Sequence, residues 1–170
     1  MSGLYGAHPL AGRFNELDPM QVLDVVEIDG QRATGRFQIL NSYENRVYQL
    51  ELEGGRWVVG KFYRPGRWSL DALDDEHEFL FDLDEADVPV SLPLALNADE
   101  DTLGTLDGAA EGIHYALFDR VAGRSPAELS DPQLRTLGEL LADLHRVGEE
   151  AEAAHRPTLS PATYGRGNLE

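Results

Sequence analysis

The chain has 170 residues, 42% of them apolar, which supplies about 70 side chains for a core and suits one domain or half of a larger one. Lys and Arg number 14 against 31 Asp and Glu, a formal net charge of −17. Such a surface repels phosphate backbones and anionic headgroups at long range, so neither nucleic acid nor a membrane is an expected partner. Cysteine is absent, which excludes a disulfide scaffold, a zinc ribbon and thiol catalysis. The histidines at 8, 77, 114, 145 and 155 form no HExxH or HxH pair, which argues against a transition-metal site. With no apolar run of membrane length and no basic-then-apolar leader, the expectation is a soluble, cytoplasmic protein.

In chain order, residues 1–17 carry Gly, Pro and few periodic apolar positions, so a loose arm is expected. Asp18-Pro19 reads as the start of a short helix, Met20 to Glu27, which Asp29-Gly30 ends. Strand patterns follow at Phe37–Leu40 and Asn45–Leu52, then the hairpin signal Glu53-Gly54-Gly55-Arg56 and a buried strand Trp57–Tyr63, stopped by Arg64-Pro65-Gly66. Ser69 caps an amphipathic helix with Leu70, Leu73, His77, Leu80 and either Leu83 or Phe81 on one side and a very acidic outer face, to about Glu85. Leu92–Leu96 and Thr102–Leu106 read as short strands around an acidic turn, and Ile113–Phe118 as a fifth apolar strand. Ser130/Asp131-Pro132 opens a second helix with Leu134, Leu137, Leu140, Leu141 and Leu144 on one side, to about Glu149. The last residues, His155 to Glu170, close no recognisable element.

Thirteen of the 14 basic residues are arginine, and Lys61 is the sole lysine. A GC-rich or salt-adapted genome would write the same bias, but an amine required at one position would also explain it. The order of meander, helix, further strands, linker and leucine-striped helix is the layout of a kinase-type N-lobe. In such a lobe a strand lysine meets phosphate oxygens, a glutamate on the following helix holds the amine, and the last strand runs into a linker facing an adenine edge. Lys61, Glu76 and Phe118 to Val121 occupy those places, with Glu78 the competitor of Glu76.

Four segments carry a more specific likeness: Asn41-Ser42-Tyr43-Glu44-Asn45-Arg46-Val47-Tyr48, Lys61-Phe62-Tyr63-Arg64-Pro65-Gly66-Arg67-Trp68, Glu76-His77-x-Phe79 and His155-Arg156-Pro157-Thr158. In these the chain resembles the bacterial stress response kinase A family, serine/threonine protein kinases within the aminoglycoside phosphotransferase and choline kinase-like group. The likeness runs from about residue 8 to the end. It implies ATP-dependent phosphorylation of protein Ser/Thr in the cytoplasm, with magnesium, by an enzyme expected to be a monomer at full length. It places Ser42, Tyr43 and Asn45 in the loop over the ATP phosphates, without a glycine-rich GxGxxG. Lys61 would bind the α/β-phosphates, Glu76 would pair with it, and Phe118, Asp119 and Val121 would lie in the hinge. The family's HGDxHxxN-like catalytic loop and DLDD-like metal segment do not occur here. The catalytic Asp and the magnesium ligands are therefore expected beyond Glu170, and this chain is not expected to transfer phosphate by itself.

The resulting expectation is an α+β kinase-like N-lobe, with about five antiparallel strands and one packed helix, at 18–121. A linker and the first helix of a truncated C-lobe follow at 122–170. His77 and His145 are read as packed or hydrogen-bonded, and His155-Arg156-Pro157-Thr158 as a structural connector. Two other readings remain: a non-catalytic pseudokinase-like module that holds a protein partner, and a small acidic chaperone.

Overall fold

The computed structural model describes residues 11–15, 17–107, 111–123 and 126–162. Its centre is a six-stranded antiparallel sheet in the order β1-β2-β3-β4-β6-β5, built from Glu27–Ile28, Gln31–Leu40, Arg46–Leu52, Trp57–Phe62, His114–Asp119 (β6) and Gly104–Thr105 (β5). The helices are α1 (Ala11–Asn15), α2 (Pro19–Val25), α3 (Leu70–Glu85) and α4 (Asp131–Glu150).

One strand ahead of the anticipated meander, and the extra length of the strand after it, come from local turn chemistry. Asp29 and Gly30 do not simply end a helix: both take positive φ, 53° and 72°, and Ile28 pairs with Gln31 across them. Two consecutive left-handed residues make the two-residue turn whose twist suits a hairpin, so the chain returns at once as β2. That strand is longer than its apolar portion, and its register against β3 slips between Ala33 and Phe37, where Gly35 sits at φ 93°. The tight turn between β3 and β4 uses Gly54 and Gly55, at φ 95° and 86°.

The stretch 92–106 is less regular than its apolar pattern suggests. Pro93 has no N–H to donate and makes only an isolated bridge with Phe118, while Asn97 folds the acidic turn by accepting from the amides of Asp99 and Asp101 at 3.0 and 3.2 Å. Only Gly104–Thr105 pairs as a strand.

One face of the sheet carries the main core. Tyr48, Leu50, Leu52, Val58, Phe62 and Leu117 pack against Phe14, Leu17, Val22, Leu23, Val26, Leu106 and Ile113. The expected loose arm therefore needs correction from residue 11 onward. Residues 1–10 lie outside the described part, but Phe14 and Leu17 are 4% and 2% exposed, and the Arg46 guanidinium stands over the Phe14 ring at 5.8 Å while donating to the carbonyls of Asn15 and Leu17. Apolar burial holds these residues although the segment is too short to show periodicity. The sheet thus has helices on both faces, not one alone.

The opposite face receives α3. Ser69 Oγ caps it by accepting from the amide of Ala72 at 3.2 Å, and Asp87 ends it at φ 58° while the Val88 amide donates back to the Leu83 carbonyl at 2.9 Å. Leu73, Tyr63 and Ala116 form a second cluster there, with Trp68, Leu103 and Phe118 packed on it. Helix α4 begins in a capping box between Ser130 and Gln133. It buries no residue fully, and Leu134, Leu137 and Leu141 are 51%, 44% and 48% exposed. His145, expected to pack, is exposed with them.

Phe14→Ala should lower the stability to urea by about 3–5 kcal/mol, the cost of emptying a buried aromatic site. An unchanged midpoint would mean that this segment is a loose arm after all.

Candidate functional site

On the α3 side of the sheet the pairing register aligns side chains in rows. Leu40 pairs with Val47, Val47 with Lys61 and Lys61 with Ala116, so these four form one row across four strands. Gln38, Gln49, Val59 and Phe118 form the next. A single amine therefore stands on a largely apolar, half-covered surface at the foot of a helix. The added β1 hairpin makes β4 the fourth strand in the chain; the sequence reading counted it third.

Helix α3 places Glu76 against that amine. Lys61 Nζ donates to Glu76 Oε1 at 2.5 Å, with both side chains about one-quarter exposed (27% and 26%). Glu78, the competitor, is exposed. The other carboxylate oxygen, Oε2, accepts from Arg156 Nη2 at 2.6 Å. Burial pushes the Glu76 carboxyl up, but hydrogen bonds and charge from Lys61, then from Arg156, outweigh it and hold the group below its ordinary value. Glu76 is thus an anion between two cations, and the three together leave one unit of positive charge.

Neutral groups complete the surroundings. The Tyr63 hydroxyl lies 3.0 Å from His77 Nε2 and 3.5 Å from Glu76 Oε1, and its ring centroid is 4.6 Å from Lys61 Nζ. Burial raises the Tyr63 hydroxyl far above its usual range, reinforced by the Glu76 charge, so it stays protonated. His77 is 2% exposed, with Thr102 Oγ1 2.7 Å from Nδ1. Burial lowers its imidazole to about 4. His77 is therefore packed and hydrogen-bonded, as the sequence reading had it.

The remaining candidate positions divide. Segment 41–45 joins β2 to β3 and leaves Ser42 exposed and Tyr43 fully so. Asn45 Oδ1 accepts from the amide of Arg64 at 3.3 Å, and both Glu44 oxygens accept from Arg67 Nε at 3.1 Å. At the far end of the sheet, Phe118 pairs with Val59 and meets His77 edge-on at 6.2 Å. Asp119 accepts from Arg56 at 2.8 and 2.9 Å, so its carboxylate ties β6 to the start of β4, and Val121 is 76% exposed. The structure brings Lys61 and Glu76 into contact and sets Phe118 one row away. It puts Ser42 and Val121 at the surface.

Sequence reasoning missed Arg156 and Trp68. The segment read as a connector returns from α4 to α3, where the backbone amide and Nδ1 of His155 reach Asp75 at 2.7 and 3.1 Å and Arg156 reaches Glu76. The Trp68 ring lies 4.3 Å from the Arg156 guanidinium carbon and 4.4 Å from that of Arg67. Eighty residues separate Arg156 from its partner, so no local spacing reveals the pair.

Residues 36–166 match the model of the phosphotransferase enzyme family (APH). Curated relatives include stress response kinase A of Salmonella choleraesuis, 39% identical over 151 residues, the serine/threonine protein kinase RdoA of Salmonella typhimurium, at 38%, and stress response kinase A of Escherichia coli K12, at 36%. Each match covers 89% of this chain but 44% of the relative, so the chain spans less than half the length of the relatives it matches. Among solved structures, a microcompartment-associated aminopropanol kinase superposes with a TM-score of 0.63 at 23% identity, covering 87% of this chain and 46% of its own. Amicoumacin kinase hAmiN, in complex with AMP-PNP, Ca2+ and Ami, gives 0.61 at 16%, with 81% and 42% covered. At these identities the likeness is one of fold.

His77 makes the fold sensitive to acid. Between pH 6.5 and about 4 the unfolded imidazole takes a proton that the buried one refuses, so stability falls as pH drops through that window. In urea titrations the wild type should lose about 3 kcal/mol more than His77→Asn between pH 7 and pH 4. Parallel losses would show that His77 is not held neutral.

An ion-paired lysine on the sheet, its glutamate on the next helix and a family match over residues 36–166 converge on one assignment: the chain belongs to the phosphotransferase enzyme family.

Proposed function

We propose that this chain is the nucleotide-binding part of an ATP-dependent serine/threonine protein kinase of the bacterial stress response, acting on a protein substrate in the cytoplasm. The observation that carries the reading is the Lys61–Glu76 pair at 2.5 Å, set on an apolar surface in a chain of net charge −17. The names of the curated relatives supply the protein-kinase and stress-response part.

In this reading each group has a defined task. The Lys61 ammonium donates to α/β-phosphate oxygens, while Glu76 holds its stem and is itself kept ionised by two cations. Leu40, Val47, Val59 and Phe118 give the adenine an apolar seat, and backbone groups at 118–121 meet its polar edge. The exposed Ser42 hydroxyl, with Tyr43 and Asn45 beside it, covers the phosphates from the β2–β3 loop.

Transfer itself needs an aspartate to accept the substrate proton and carboxylate or amide ligands for magnesium. Among the described residues no group of three or more His, Asp or Glu is placed to hold a metal ion. By resemblance those groups belong to segments that do not occur in the 170 residues, so the task this reading gives to these residues is nucleotide binding.

Adding Mg–ATP should raise the melting temperature of the wild-type chain, and Lys61→Ala should abolish that rise while leaving the circular dichroism spectrum unchanged. An equal rise in the variant would remove the lysine from the phosphate site. No rise in the wild type would remove the nucleotide reading.

A further inference from the structure

We propose that Arg156 is a positioning residue that sets the Lys61 amine through Glu76, so that the segment after α4 orients the phosphate-binding group. The link between Arg156 and Lys61 is read from the structure; its use in phosphate binding rests on the nucleotide reading above.

A lysine ammonium is a point charge on a four-carbon stem, and a carboxylate that meets only such a partner can swing with it. A guanidinium is planar and fixes the direction of the group it pairs with. Glu76 gives Oε1 to Lys61 and Oε2 to Arg156, so turning the carboxylate toward a new lysine position would break the Arg156 contact at 2.6 Å.

Arg156 is itself held from two further sides. Its guanidinium carbon stands 4.3 Å from the Trp68 ring centroid, and its side chain is 24% exposed. The preceding residue is anchored to the same helix, since the His155 amide donates to Asp75 Oδ2 at 2.7 Å and Asp75 is 8% exposed. Two neighbouring residues thus grip two neighbouring acids of α3. Trp68 also stacks with Arg67, which binds Glu44 of the β2–β3 loop. One aromatic ring therefore connects the loop assigned to the phosphates with the lysine assigned to them. Arg156 also supplies the charge that leaves the trio net positive, which the Lys61–Glu76 pair alone would not be.

Because Lys61 is the only lysine, a sample labelled with 15N-lysine shows one side-chain ammonium signal, and the test needs no nucleotide. In the full chain Arg156→Gln should shift that signal and speed its hydrogen exchange about tenfold or more. In a Glu76→Gln background the same substitution should change the signal no further, because Arg156 acts through the carboxylate. An unchanged signal in Arg156→Gln, or an equal change in both backgrounds, overturns the proposal. Trp68→Leu provides a second route if Arg156→Gln does not fold. It leaves every charge in place, should move the Lys61 signal in the same direction by less, and overturns the proposal if a folded variant leaves it unmoved. Titrating the wild type with Mg–ATP separates the two claims: a Lys61 signal that ignores the nucleotide sinks the phosphate reading, while the Arg156 comparison stands or falls without it.

Discussion

Glu76 gives one carboxylate oxygen to Lys61 and the other to Arg156, at 2.5 and 2.6 Å, and through it a strand, a helix and the segment following α4 meet at one point. Stability is not a sufficient reason for such a cluster. Taking charges out of water costs several kcal/mol per ion, and replacing a buried ionic trio by apolar residues is often neutral or stabilising. What charges add is direction and sign. The carboxylate stays ionised because its cations outweigh its burial, the Tyr63 hydroxyl stays protonated, and the His77 imidazole stays neutral. In the proposed reading the amine is the group that exchanges a protein partner for an anion.

The sheet makes this possible by treating its two faces differently. One face is closed by α1, α2 and the side chains of Leu94, Leu96, Leu106 and Ile113 around Tyr48, Leu50, Phe62 and Leu117. Gly60 belongs to that closed side, where an added Cβ would stand 3.0 Å from Phe62 and 3.2 Å from Leu50. Its neighbour Lys61 points the other way because strand side chains alternate. The face with Lys61 is covered by α3 over part of its width only, which leaves the Leu40–Val47 end of the lysine row outside the Tyr63–Leu73–Ala116 cluster. Closing the first face firmly is what allows the second to remain available.

Lys61 and Glu76 were legible in the sequence because each sits on a strongly patterned element, and the order of those elements pairs the strand with the helix after it. Other parts were not legible, for different reasons. Phe14, on a five-residue helix, and Leu17, just after it, are core residues in a segment too short for a 3.6-residue period to register. Asp29-Gly30 stops a helix as readily as it turns a hairpin, and only the two positive φ values choose between them. Leu92–Leu96 has the alternation of a strand, but Pro93 removes a donor and Asn97 organises a turn instead. Arg156 was read as part of a connector because its role depends on a contact across 80 residues. The patterned elements set the frame, and the pieces that complete the site come from short irregular segments.

The net charge of −17 looks hostile to an anionic ligand, and the resolution is one of distance. At physiological ionic strength the Debye length is about 8 Å, so exposed acids more than that distance away are largely screened, while groups in direct contact act nearly unscreened. Asp71, Asp74 and Glu78 are exposed on α3, whereas the acids that turn toward the sheet and the returning segment are engaged, Asp75 by His155 and Glu76 by Lys61 and Arg156. In the proposed reading the groups in direct contact at the anion site are Lys61, Glu76 and Arg156, whose own balance is positive only because Arg156 is present. An acidic chain can carry an anion site provided its cations are few, partly buried and held in place, and the proposed site, a single lysine steadied through a shared carboxylate, meets all three conditions.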